Sequence, residues 1–157
     1  YGWAKLTSEY LGKIAYEKYG IKSVVYRPFS GYGKDQDLSY PFPSICKRIL
    51  NNISQKNIQV WGTGDQMRDF IHIEDLCNAI TMLIDKNEYG IIDIGTGISN
   101  KLTDIMEYCK MTYQGMIGSE IERKDNKADI SNLTKYGWKP KINLYEYLDK
   151  EMDIRVN

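Results

Sequence analysis

An α/β fold with parallel strands is what this sequence predicts, and three observations carry the prediction. Apolar residues recur at helical spacing in several segments, and short β-rich runs stand between them. The runs alternate with the helices, an order that builds a parallel sheet covered by helices. The first run leads into a loop rich in Gly, Ser, Asp, Tyr and Pro, spanning residues 29–43. Long loops at the carboxyl ends of strands are where open α/β sheets bind ligands.

Taken in order, residues 3–19 carry Leu6, Tyr10 and Ile14 at helical spacing, flanked by Leu11 and Ala15, and Gly20 is a suitable stop. Residues 21–26 form a β-rich run ended by Arg27-Pro28, read as a parallel strand buried on both faces. Helical period returns over residues 44–53 through Cys46, Ile49, Leu50 and Ile53. Residues 58–61 read as a strand, 62–65 as a turn and 69–73 as a second strand. Glu74 and Asp75 then place negative charge in the first turn of a helix, where the macrodipole favours it. Leu76, Ala79, Ile80, Leu83 and Ile84 form the apolar face of that helix. His72, the only histidine, stands in an apolar strand and reads as a packed residue rather than a base.

Residues 90–94 read as another buried strand. After Gly95-Thr96-Gly97 and a Ser99 or Asn100 cap, Leu102, Ile105, Met106 and Cys109 share one side of a helix. Residues 113–127 are polar and expected to be loop, with one strand near Ile121. Short helices are expected over residues 129–136 and 144–152.

Composition narrows the function classes. With 21 basic and 21 acidic residues the net charge is zero, so no overall field favours nucleic acid or an anionic membrane. An anionic ligand therefore needs a local site. No apolar run approaches the roughly 20 residues of a membrane span, and the opening residues do not read as a signal peptide. Cys46, Cys77 and Cys109 are odd in number and far apart, which suits neither a disulfide framework nor a zinc site. Each reads as a small apolar residue in a helix, no metal is expected, and a reducing, cytoplasmic setting is the simplest reading. Three G-x-G triplets fall short of the dinucleotide pattern. Gln36, Met67 and Asn100 stand where that pattern needs a small residue.

The candidate chemistry begins at the first residue. On a helix, Tyr1 and Lys5 lie on one face at i and i+4. A phenol is a weak base at neutral pH, with an ordinary pKa of about 10, and a neighbouring cation favours its charged form. Such a tyrosine can take a proton from a substrate hydroxyl and return it. The same pair also occurs on ordinary helix surfaces, and the motifs downstream of Lys5 decide between the two readings.

Tyr1-Gly-Trp-Ala-Lys5 is followed by Arg27-Pro-Phe-Ser-Gly-Tyr-Gly33, and then by Trp61-Gly-Thr-Gly-Asp-Gln-Met-Arg-Asp-Phe-Ile-His-Ile-Glu-Asp75. Asp93-Ile-Gly-Thr-Gly97 comes next, and Ala128-Asp-Ile-Ser131 with Gly137-Trp-Lys-Pro140 closes the series. In order and spacing this resembles the NAD-dependent epimerase/dehydratase family, the extended short-chain dehydrogenase/reductases that act on nucleotide sugars. The resemblance covers essentially the whole chain.

The resemblance implies the end of a Rossmann-like parallel sheet plus a smaller mixed α/β substrate-binding lobe, with the ligand in the crevice between them. Tyr1 resembles the catalytic tyrosine and Lys5 its partner, which also holds the nicotinamide ribose. Pro28 and Phe29 would lie beside the nicotinamide and the sugar. Ser30 stands where many members have an Asn that holds the diphosphate. Arg68 resembles the arginine that pairs with the diphosphate, against a plain surface pairing with Asp65 or Asp69. Arg123 or Lys127 would supply a second cation, and Asp93 a structural role in its turn. NAD is the implied cofactor, with NADP as the alternative, and a nucleotide-diphosphate sugar the implied ligand.

The implied activity is nucleotide-sugar epimerisation by transient oxidation. The alternatives in chemistry are a 4,6-dehydratase or a keto-sugar reductase. A non-catalytic nucleotide-sugar-binding or regulatory module is the alternative of another class. The chain opens on Tyr at a functional helix and is expected to be the C-terminal part, residues 1–157, of such a domain. The glycine-rich cofactor loop and an assisting Ser or Thr would lie upstream, and these residues alone are expected to be inactive. A homodimer is implied for the full-length protein.

Overall fold

The computed structural model describes residues 1–52, 54–86, 88–116 and 126–151. Its first half runs α1 (Gly2–Tyr19), β1 (Val24–Pro28), β2 (Ser30–Tyr32), α2 (Pro41–Asn51), β3 (Asn57–Trp61), β4 (Met67–Arg68) and β5 (Phe70–His72). The second half runs α3 (Ile73–Ile84), β6 (Gly90–Ile94), β7 (Asn100–Lys101), α4 (Leu102–Tyr108), β8 (Thr112–Met116), α5 (Ser131–Thr134) and α6 (Leu144–Glu151). Parallel pairing dominates, as the α/β reading requires: β1 with β6, β2 with β5 and β3 with β8. Among the described residues only the two-residue β4 and β7 pair antiparallel.

The described residues gather into two apolar clusters. One is built by Ile71, Ala79, Leu83, Ile92, Ile94, Leu133 and Trp138, which join β5, α3, β6 and α5 beside the β1–β6 sheet. The other gathers Phe42, Ile45, Ile49, Ile58, Ile105, Met106, Tyr147 and Leu148 from α2, β3, α4 and α6. These are the sheet end and the smaller mixed lobe. Aromatic rings seal the second cluster, with Tyr32 5.0 Å from Phe42 and 5.0 Å from Tyr147 between ring centroids.

Several boundaries differ from the sequence expectation, each for a tertiary reason. The first strand begins at Val24, not Ile21, and continues through Arg27 and Pro28 because both stay in register with Asp93 and Ile94 of β6. The loop after it contains β2, and α2 starts at Pro41, where proline at the first turn gives up no helical hydrogen bond. The expected strand over residues 69–73 is broken at Asp69, and Ile73 already belongs to α3. His72 caps that helix, its Nδ1 accepting from the Glu74 N–H at 3.3 Å, and packs against Tyr32 and Tyr147.

Neither Ser99 nor Asn100 caps α4. Lys101 occupies the cap position without a side-chain bond, and Asn100 is spent on pairing with Arg68. The segment read as loop supplies β8 from Thr112, whose N–H donates to the Lys56 carbonyl at 2.7 Å. The strand expected near Ile121 lies outside the described residues. Cys46 and Cys109 are buried as expected, but Cys77 is exposed. The apolar residues at helical spacing on α1 are also exposed, with Leu6 at 53% and Tyr10 at 62%. Among the described residues no helix is long and apolar enough to cross a membrane.

Candidate functional site

A cleft of about 420 Å³ opens beside the second cluster, whose Phe42, Ile45, Phe70 and Leu102 line it. One wall is the chain leaving β1, with Phe29, Ser30 and Gly31, and the other is α2 with Tyr40, Phe42 and Arg48. Gln66 and Arg68 close it from below. The cleft therefore follows the carboxyl end of β1, the position from which parallel strands present ligands.

Arg68 and Ser30 reach this wall together because of one carboxylate. Asp69 is fully buried, and its oxygens accept from Thr96 N at 2.8 Å, Thr96 Oγ1 at 2.6 Å, Gly97 N at 2.8 Å and Ala128 N at 3.0 Å. Its own carbonyl accepts from Ser30 N at 3.0 Å. Four acceptor interactions satisfy the charge, which is what a buried carboxylate requires. Gly97 has φ +75°, a conformation that suits glycine, and a Cβ on Gly95 would lie 2.7 Å from the Asp69 carboxylate. The Gly95-Thr96-Gly97 turn is thus shaped around Asp69. Asp93, expected to serve that turn, instead sits on β6 opposite Arg27.

Arg68 takes neither of the surface partners considered for it. Asp65 pairs with Lys101 at 3.6 Å, and the Asp69 carboxylate is occupied by its four donors. A second guanidinium, not singled out from the sequence, lines the same cleft. Arg48 Nη1 donates to the Gln59 carbonyl at 2.9 Å and its Nε to Ser44 O at 3.4 Å, which holds the head group in place. Only its position as the lone charged residue between Ser44 and Ile49 other than Lys47 could have drawn attention to it. Of the other cations considered, Lys127 is exposed and off the cleft lining, and Arg123 lies outside the described residues.

Tyr1 and Lys5 are adjacent as helical spacing requires, with Lys5 Nζ 5.2 Å from the Tyr1 ring centroid. Neither lines the cleft, and Tyr1 is 97% exposed at the start of α1. Their position follows from a tie in the middle of the helix. Arg27 on β1 donates from Nε and Nη2 to the two Glu9 oxygens at 2.7 and 2.5 Å. Because α1 turns back at Gly20 into β1, its first turn projects past the carboxyl end of β1, the end that carries Pro28, Phe29 and Ser30. Pro28 itself pairs in register with Ile94.

Asp75 completes the frame. It is 2% exposed and accepts from Lys141 N and Ile142 N at 2.9 Å each, so Glu74 and Asp75 do begin a helix, but Asp75 also anchors the segment leading to α6.

Residues 1–95 match the sequence pattern of the NAD dependent epimerase/dehydratase family. GDP-L-fucose synthase 1 of Arabidopsis thaliana is 27% identical over 85% of this chain and 44% of its own length. Among solved structures, UDP-N-acetylglucosamine 4-epimerase from Methanobrevibacter ruminantium M1, in complex with UDP-N-acetylmuramic acid, is 26% identical with a TM-score of 0.76, covering 95% of this chain and 51% of that one. UDP-glucuronic acid 4-epimerase from Bacillus cereus, in complex with UDP-glucuronic acid and NAD, superposes with a TM-score of 0.77 at 24% identity, covering 98% of this chain and 51% of that one. The chain spans about half the length of the curated relatives it matches.

Proposed function

The chain belongs to the NAD dependent epimerase/dehydratase family, and we propose that it carries the substrate side of a nucleotide-sugar epimerase. The observation that supports this reading most directly is the cleft with Arg48 and Arg68 on its walls. A protein of zero net charge needs a local cationic site to hold a diphosphate, and planar guanidinium groups bind phosphate oxygens in pairs. Ser30 offers a hydroxyl donor beside them, and Phe29 an apolar surface for the sugar ring.

Tyr1 is the proposed acid/base. Its oxygen takes the proton of the sugar hydroxyl as the C–H bond of the same carbon breaks, and returns it when that bond reforms on the other face. Lys5 stands over the Tyr1 ring, so a cation accompanies the proposed acid/base. The residues present fit the nicotinamide end of the proposed cofactor, NAD or NADP: Tyr1 and Lys5 share one helix face, and that helix start lies on the Pro28 side of the sheet. Tyr1, Lys5 and Pro28 would hold that end, and the cofactor when bound would supply the acceptor for the hydride of that C–H bond and its donor on return. The free thiols of Cys46, Cys77 and Cys109 support a cytoplasmic setting. The exposed apolar residues of α1, Leu6 and Tyr10 among them, support a homodimer.

The test is turnover of UDP- and GDP-sugars by the whole gene product containing these residues, with NAD at catalytic amounts, before and after Tyr1→Phe. Epimerised product that Tyr1→Phe abolishes is the expected result. Stoichiometric consumption of reduced cofactor would make the protein a keto-sugar reductase, and loss of water from the sugar a dehydratase. Ligand binding without turnover would leave the binding module.

A further inference from the structure

Gln36 lies in the loop between β2 and α2 and lines the same cleft as Ser30 and Arg68. Its Nε2 donates to the Gly31 carbonyl at 2.9 Å. A carbonyl oxygen only accepts, so this bond fixes which end of the amide is nitrogen and leaves Oε1 as the other atom. That oxygen is buried and has no hydrogen-bond partner among the described residues. Buried polar atoms are nearly always satisfied, so an orphaned acceptor on a residue that lines the cleft is open to a donor brought in by what fills it.

The chemistry of the walls says which part of the ligand brings it. The two guanidinium groups suit negative charge, whereas an uncharged amide oxygen accepts from a neutral N–H or O–H. Hydroxyls are the donors in which a sugar is rich. We propose that Gln36 is a specificity-determining residue whose Oε1 accepts a hydrogen bond from one hydroxyl of the sugar. The inference rests on the reading of the cleft as a nucleotide-sugar site. It adds a group that discriminates among sugars by the placement of that hydroxyl, because a site built to receive a donor rejects the analogue that lacks it.

Calorimetric titration of the whole gene product tests this, with UDP, UDP-glucose, GDP and GDP-mannose as probes on the native protein and on Gln36→Met. The side chains are similar in length, and the variant lacks the acceptor. The sugar-bearing ligand is expected to bind roughly tenfold more weakly to the variant, and the matching free diphosphate within about twofold of native. On the native protein, one deoxyfluoro sugar, in which fluorine replaces a hydroxyl and leaves no donor hydrogen, should show the same loss, and that loss should vanish in Gln36→Met. Equal weakening of sugar-bearing and free diphosphate would overturn the proposal, since Gln36 would then only hold the Gly31 loop. So would unchanged binding of both, since the oxygen is then satisfied by water. If the native protein binds none of the four probes, the nucleotide-sugar reading itself fails and takes this proposal with it. Matched thermal melts certify the fold, and Gln36→Ala, which adds no bulk, repeats the comparison.

Discussion

Arg27 on β1 holds Glu9 on α1 through two hydrogen bonds, 2.7 Å from Nε and 2.5 Å from Nη2. None of the α1 residues is buried, so this bidentate pair seats the helix on the sheet together with a half-buried strip that includes Gly12, Ile14 and Ala15, the Ser23 hydroxyl bond to the Gly12 carbonyl and the stacking of Tyr16 on Tyr89. The pair also fixes the direction in which Tyr1 and Lys5 project.

The Arg27 guanidinium holds the Glu9 carboxyl below its ordinary value of 4.5, chiefly by hydrogen bonding. A carboxylate whose value is lowered on folding adds stability that is fully present above 4.5 and is lost as pH falls through the folded value. The protection of α1 amides relative to their intrinsic exchange is therefore expected to fall on acidification below that range, and Arg27→Gln should show low protection already at neutral pH. Equal α1 exchange in native and variant protein at neutral pH would contradict the assignment.

Asp69 is the most heavily engaged buried side chain of the candidate site. Replacing it by Ala strands the N–H groups of Thr96, Gly97 and Ala128 and is expected to cost about 3–5 kcal/mol. Asp69→Asn keeps an oxygen but turns its nitrogen toward a donor, so it should lose less. Urea denaturation measures both, and a loss within experimental error for Asp69→Ala would remove Asp69 from the centre of this frame.

Arg48 and Arg68 should contribute to anion binding separately. Arg68→Met is expected to weaken UDP or GDP binding roughly 10- to 100-fold and to flatten its dependence on salt, with Arg48→Met smaller because its head group is partly spent on Gln59 and Ser44. Isothermal titration at two salt concentrations checks this. Affinity unchanged in Arg68→Met would place the anion elsewhere.

Thiol reactivity should follow burial. Burial pushes the Cys46 thiol up to about 12, with Cys109 nearby adding to the effect, and burial pushes Cys109 up to about 11, with Asp149 adding to it. Both then stay protonated at mildly alkaline pH and are shielded from reagent, whereas Cys77 is exposed. Iodoacetamide labelling of native protein, read by mass spectrometry, should modify Cys77 first, and Cys46 or Cys109 only after denaturant is added.

Local pattern carried much of this molecule. The helical period of Ala79 and Leu83 placed α3, the β-rich run from Gly90 placed β6, and the alternation of elements led to a parallel α/β fold. The ordered motifs from Tyr1 to Pro140 pointed to the family that the comparison then established. Periodicity was misleading at α1, because an apolar stripe states what would suit burial and not whether a neighbouring element covers it. It was also misleading for Ile84, which falls on the apolar spacing of α3 yet is 66% exposed at the end of that helix.

What only the tertiary structure decided are the relations between residues far apart in the chain. Asp69 looked like a surface partner for Arg68, and became the buried acceptor for donors 27 to 59 positions away. Arg48 and Gln36 had no motif to mark them, and they matter because α2 and the loop before it fold against the wall that starts at Phe29. Spacing along a chain reports contacts within one helix or strand. Hydrogen bonds and charges that close a cleft depend on where elements meet, and that is set by how the two apolar clusters pack.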